Sequence, residues 1–218
     1  MTERGRLITF EGGEGAGKST QIGFLEAALD EAGIDVVTTR EPGGTPGAEA
    51  IRALVTEGSA DRWSPLTETL LFLAARQDHV ERLIEPALAR GQWVLCDRFI
   101  DSTRVYQGIA GSLGLGLIDR LHDVIFDRIA PDLTLLLDLP VDVGLGRRRA
   151  AGDANRFEQK VTDFHNAVRD GFLHLAAGES ERVVVIDAVP SPEIVAGEIA
   201  GKVIERFLPH ARFDGDRP

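Results

Sequence analysis

Positive charge is scarce in this chain: 24 Lys and Arg stand against 35 Asp and Glu, a formal net charge of -11. Non-specific partners such as DNA, RNA or anionic membranes reward a basic face, so they are excluded, and any anionic ligand must be held by local positive charge. Cysteine is nearly missing. The one present, Cys96, lies in the apolar run WVLC; a disulfide framework within one chain is impossible and a reducing, cytoplasmic setting is expected. No run of about 18 apolar residues could span a membrane, and the opening MTERGRLITF holds no signal-like apolar stretch. None of the five His has a metal-ligand spacing. Repeats, low-complexity blocks and linkers are absent too, so one domain over 1–218 is expected, with a frayed polar tail over about 209–218.

What is plentiful is short apolar runs. LITFE (7–11), DVVTTR (35–40), WVLCD (93–97), LTLLLD (133–138) and VVVID (183–187) have the length of strands buried on both faces. Between them, Gly23 to Ala32, Leu66 to Arg90, Phe164 to Ala177 and Pro192 to Phe207 carry helical spacing. Alternation of this kind predicts an α/β fold, a five-stranded parallel sheet between two layers of helices. Right-handed crossovers then bring all five carboxyl ends to one edge, where such sheets bind ligands. Glu11, Arg40, Asp97 and Asp138 close four of the runs and belong to that edge.

The first run leads into GGEGAGKST, in which Gly12, Gly17, Lys18 and Ser19 satisfy G-x-x-x-x-G-K-[ST] between a predicted strand and a predicted helix. Chance supplies such a match on the order of once per hundred chains of this length, and the context sharpens it. Glycines let backbone N–H groups turn around phosphate oxygens, the helix terminus adds its dipole, Lys18 neutralises the transferring end and Ser19 ligates Mg²⁺. The dinucleotide pattern G-x-G-x-x-G fails because position 18 is lysine. ATP or GTP is therefore expected, with switch, motor and kinase all open. No NKxD guanine-reading motif is present, which weakens a GTPase.

Four further features narrow the choice. Arg98 follows Asp97 where a hydrolase would place a water-orienting group, and a guanidinium there suits a second anion. TREPGGT (39–45) turns sharply at the end of the second run, with Arg40 on the ligand edge. Phe72 and Arg76 lie four apart on one helix face, a stacking ring beside a donor. DSTRVYQG (101–108) adds hydroxyls and the one Tyr of the chain.

In this order and spacing, FEGGEGAGKST, TREPGGT, LFLAAR, DRF, STRVYQG and the basic run after LLLDLP resemble thymidylate kinase of the bacterial type, over about residues 5–207. The resemblance implies phosphoryl transfer from MgATP to dTMP, a homodimer, and a helical lid after the fourth strand, about 141–157. Gly12, Gly13, Glu14, Gly15, Ala16, Gly17, Lys18, Ser19 and Thr20 would hold ATP; Ser19 and Asp97 would serve Mg²⁺. Glu11 matches an acidic position near the acceptor, Arg40 and Arg98 a phosphate clamp, and Phe72 and Arg76 the thymine stack and the donor to O4. Thr103 and Gln107 match the base pocket, and Tyr106 the ring that crowds the sugar 2′ position. No general base is required, since the attacking phosphate is already mostly ionised at neutral pH.

The lid is GLGRRRAAGDANRFE, in which consecutive helical residues diverge by about 100°. Arg149, less directly Arg147, and further on Arg156 match basic lid positions, whereas Ala151 and Asn155 depart from the pattern. Lys18, Arg98, Arg149 and Glu14 are the expected catalytic set. Some relatives carry an arginine inside the phosphate loop; here Glu14 is expected to meet a lid arginine or the acceptor side. A P-loop kinase for another nucleotide or nucleoside is the alternative, and an ATP-driven regulatory module a more distant one.

Overall fold

The structure is a computed structural model that describes residues 4–59, 61–126, 129–151 and 162–208. Five strands, β1 (Leu7–Glu11), β2 (Val36–Arg40), β3 (Trp93–Asp97), β4 (Leu133–Asp138) and β5 (Val183–Asp187), form one sheet in the order β2-β3-β1-β4-β5, with every neighbour parallel. This is the sheet that the apolar runs predict. Every residue of β1, the central strand, is buried.

Alternation along the strands sends side chains to two layers. Ile8, Phe10, Leu95 and Leu135 pack against α1 (Lys18–Glu31) and α9 (Pro192–Phe207) through Leu25, Leu29, Ile199 and Val203. Leu7, Val94 and Cys96 face the other way, onto α3 (Pro65–His79), α4 (Glu85–Ala89) and α6 (Leu115–Phe126). On that second side α8 (Thr162–Gly178) covers Leu136 and Val183 with Phe172 and Leu175. Two helices were not read from the sequence, α6 and the helix α2 (Pro46–Thr56), which rests on α3. Thr45 caps α2 by accepting from the Ala48 amide at 3.3 Å, with Pro46 in the first turn.

Two boundaries differ from the sequence reading for physical reasons. α1 starts at Lys18 rather than Gly23, because its first turn grows out of the phosphate loop and shows no apolar face of its own. The segment 66–90 is interrupted by a π-helical turn, Val80–Ile84, before α4. Pro86 has no N–H for the carbonyl four residues back, and a widened turn absorbs the mismatch. Among the described residues no helix is long and apolar enough to cross a membrane.

Behind the sheet edge sits a charged cluster. Arg182, just before β5, donates to Asp101 Oδ2 at 2.7 Å and Oδ1 at 2.9 Å, and to Glu179 Oε2 at 2.6 Å. Arg104 joins it through Glu179 Oε1 at 2.5 Å and Asp101 Oδ1 at 3.2 Å. The cluster pins α5 (Ile100–Thr103) and the π-helical stretch Arg104–Ala110 to the end of α8.

Candidate active site

The carboxyl ends of the strands border a cleft of about 610 Å³. Its floor is the phosphate loop between β1 and α1. Gly12 (φ 138°), Gly15 (φ 70°) and Gly17 (φ 90°) adopt backbone conformations that side chains rarely allow. Space is as decisive as φ: a Cβ on Gly15 would lie 2.1 Å from the Gly144 carbonyl oxygen, on α7 (Val141–Ala151). Lys18 is buried and bends back over the loop, Nζ donating to Gly12 O at 3.3 Å and Gly13 O at 3.1 Å. Burial first, then the Arg98 charge, lowers its pKa. Residues Glu14 to Thr20 line the cleft. Ser19 Oγ donates to Asp97 Oδ2 at 3.0 Å, joining α1 to the end of β3.

Arg98 stands in the middle. Its backbone is left-handed (φ 69°), a strained state for a non-glycine residue, and its amide donates to Phe10 O at 2.9 Å. That turn aims the guanidinium at Gly12 O (3.0 Å), Ser102 Oγ (3.1 Å) and Glu14 Oε1 (3.0 Å), over the Tyr106 ring at 5.1 Å. Glu14 Oε1 also accepts from the Tyr106 hydroxyl at 3.2 Å, and Arg148 Nε lies 3.9 Å from Oε2. Burial alone would raise the Glu14 pKa, but the charges of Arg98, Lys18 and Arg148 together hold it below the usual carboxylate value. Burial pushes the Tyr106 hydroxyl well up, so it stays a donor. Glu14 therefore faces Arg98 and Tyr106 on one side and Arg148 of the helix after β4 on the other.

The arginines that follow β4 divide between cleft and surface. Arg147 and Arg148 line the cleft, whereas Arg149 is exposed and stays outside it. Gly144 explains the choice: a Cβ there would lie 2.2 Å from Glu14 O, so this face of α7 abuts the loop, and Arg148 is four residues on along the same face. That glycine was the overlooked signal. Arg156 and the lid positions 152–157 lie outside the described residues, as does the tail 209–218.

Arg76 is not among the residues that line the cleft; it lies behind Glu41 and Thr103, which do, and is 2% exposed. Nε donates to Glu41 Oε2 at 2.7 Å and Nη2 to Thr103 Oγ1 at 3.0 Å, while Nη1 is buried with no hydrogen-bond partner. Phe72, Thr103 and Gln107 line the cleft nearby, with Gln107 Nε2 donating to Glu68 Oε1 at 2.9 Å. Arg40 reaches the cleft and is bound by both oxygens of Glu49, at 2.9 and 3.1 Å. Arg52, missed in the sequence because α2 was missed, also lines it and donates to Pro42 O at 2.7 Å.

Glu11 is not brought to the cleft. It is fully buried, Oε1 accepting from the amides of Phe99 (2.8 Å) and Ser102 (3.1 Å), and Oε2 from Ser102 Oγ (2.6 Å). Burial first, then the Asp101 charge, lifts its pKa to about 7. It holds the start of α5, and with it the turn that carries Arg98.

Hard oxygen donors, Ser19 and Asp97, suit Mg²⁺. Among the described residues no group of three or more His, Cys, Asp or Glu is arranged to hold a metal ion, so a cation bound there would complete its shell from phosphates and water.

A family model described as thymidylate kinase matches residues 10–199. The chain is 55% identical over 207 residues to a thymidylate kinase of Caulobacter vibrioides, covering 95% of this chain and 99% of the relative. It is 53% identical over 218 residues to one of Rhodopseudomonas palustris, covering 96% and 93%. Among solved structures, the crystal structure of thymidylate kinase from Ehrlichia chaffeensis superposes with a TM-score of 0.75 at 33% identity, over 92% of this chain and 99% of that one.

Proposed function

The chain belongs to the thymidylate kinase family and transfers a phosphoryl group from ATP to dTMP, giving dTDP and ADP toward dTTP; from that premise we propose how its residues divide the work. The loop 12–20 and Lys18 hold the ATP phosphates, and Ser19 and Asp97 would hold Mg²⁺ beside them. Bound there, the cation would screen the phosphate charges. The carrying observation is the convergence of Arg98, Lys18 and Arg148 on Glu14, which marks mid-cleft as a site of concentrated positive charge. Arg98 and Arg40, with Arg52, clamp the dTMP phosphate, whose ionised oxygen attacks in line without a base.

Arg76 donates from Nη1 to thymine O4, supported by that buried, unpartnered nitrogen. Phe72 stacks on the base, Thr103 and Gln107 border it, and Tyr106 crowds the 2′ position. Cytosine offers an amino donor where thymine offers O4, and an unpaired buried donor against a donor is costly. Glu11 acts through α5 rather than on substrate.

We read the lid as the stretch 141–157 of a single kinase domain, with Arg148 as its phosphate contact in place of Arg149. Arg148→Ala is expected to lower kcat about thirtyfold, while Arg149→Ala stays within about threefold; steady-state ADP release ranks the two, and the reverse ranking returns the role to Arg149. A homodimer is supported by exposed Leu54 on α2, Leu66 and Leu70 on α3, and Val124 on α6, since α2 and α6 each contact α3. The buried free thiol of Cys96 fits a cytoplasmic setting.

Substrate choice is tested by ADP release from MgATP with dTMP, dUMP, dCMP, dGMP, UMP and AMP. dTMP should exceed dCMP by about a hundredfold or more in kcat/KM. Preference for another monophosphate, or ATP hydrolysis indifferent to the acceptor, would overturn the assignment.

A further inference from the structure

The run TREPGGT reads as turn chemistry, yet its side chains and its lack of side chains surround two arginines. Glu41, 6% exposed, accepts from Arg76 Nε through Oε2. Its other oxygen lies 3.2 Å from His79 Nδ1, and His79 Nε2 lies 2.7 Å from Thr39 Oγ1. His79 is 0% exposed. A carboxylate can only accept, so Nδ1 must carry the proton; in the neutral ring Nε2 then accepts from the Thr39 hydroxyl, and a single tautomer satisfies the whole chain of bonds.

We infer that Glu41 and His79 are positioning residues that aim Arg76 at the acceptor base, with Thr39 fixing the histidine. The inference rests on Arg76 as the base-reading donor. A guanidinium is planar and rigid, so anchors at Nε (Glu41) and Nη2 (Thr103) set the direction of Nη1. His79 keeps Glu41 from rotating by occupying its second oxygen. Arg76 and His79 lie three apart on one face of α3, while Thr39 is the last residue but one of β2 and Glu41 follows the strand directly, so the relay also ties helix to strand.

The glycines make room for this. A Cβ on Gly44 would lie 2.5 Å from both His79 Nε2 and Thr39 Oγ1. One on Gly43 would lie 2.5 Å from Glu49 Oε1, the oxygen that holds Arg40 and accepts from the Gly44 amide at 2.9 Å. The motif is a bracket for two arginines.

The readout is base selectivity, the ratio of kcat/KM for dTMP to that for dCMP; a merely structural role lowers kcat/KM for both substrates alike and leaves the ratio unmoved. Glu41→Met and His79→Leu should each cut the ratio about tenfold, the loss falling on KM for dTMP. Glu41→Gln can keep both bonds if His79 takes its other tautomer, and His79→Asn keeps a donor toward Glu41; both should stay within about threefold. Should either apolar variant fail to fold, Thr39→Val removes the outer anchor and should cut the ratio about threefold. A ratio unmoved in folded Glu41→Met, His79→Leu or Thr39→Val, with Arg76→Ala abolishing it, overturns the relay alone. A ratio that survives Arg76→Ala overturns the base-reading role itself.

Discussion

Arg98→Ala is expected to lower kcat/KM for dTMP by about a thousandfold, measured as ADP release at fixed MgATP. The guanidinium is the junction of both halves of the cleft: it bonds the loop at Gly12 O, the α5 segment at Ser102 and the carboxylate of Glu14. Removing it leaves the Glu14 carboxylate in the cleft with less positive charge beside it. Arg98→Lys returns the charge without the fork and should recover at most about tenfold. Backbone strain separates from chemistry through a third variant. At φ 69° glycine is relieved and alanine is not, so Arg98→Gly should be more stable than Arg98→Ala by about 1 kcal/mol in chemical denaturation, while equally inactive. Activity within tenfold of the parent for Arg98→Ala would remove the clamp from the mechanism.

Gly144→Ala carries the second large effect. Helix propensity alone favours the change by about 1 kcal/mol. Against it stands the 2.2 Å approach of the new methyl to Glu14 O, a backbone atom in a loop fixed on both sides. Overpacking of that kind costs about 1–3 kcal/mol, so the net sign is destabilising or near zero. The larger consequence is geometric. α7 has to lift off the loop, Arg147 and Arg148 move with it, and a displacement of about 1 Å suffices for roughly a hundredfold loss in kcat. A Gly144→Ala enzyme that melts higher and turns over normally would show that the lid does not depend on this contact.

Much of the architecture was legible because parallel strands covered on both faces are continuously apolar, as LITFE, WVLCD and LTLLLD are, while the edge strands β2 and β5, with no residue and two residues buried, show instead as runs rich in Val. The phosphate loop was legible for a different reason: glycines and one lysine at fixed spacing leave few other uses. Pairings were not. Nothing in a linear pattern says that Glu14 will meet Arg98 across 84 residues, or that Glu41 will find Arg76 and His79 on a helix 35 and 38 residues away. The position of Glu11 is a matter of strand parity. Its parity along β1 matches Leu7, which packs on the second layer of helices, so its side chain follows Leu7 away from the α1 face and under α5. Arg149 was favoured over Arg148 because a run of arginines has no visible phase until Gly144 fixes which face of α7 meets the loop.

The anchoring of α5 by Arg182 has a consequence for the order in which the enzyme is made. Every side chain assigned to the acceptor lies before residue 108, and the phosphate loop earlier still. Asp101, buried at the start of the acceptor segment, has one guanidinium close in sequence, Arg104 at 3.2 Å, but its two shorter bonds, 2.7 and 2.9 Å, wait until Arg182 has been synthesised. A nascent chain that already carries Arg98, Thr103 and Tyr106 therefore has beneath them a carboxylate that still lacks the stronger of its two arginines. The acceptor segment is therefore expected to settle fully only when the residue just before the last strand has joined it.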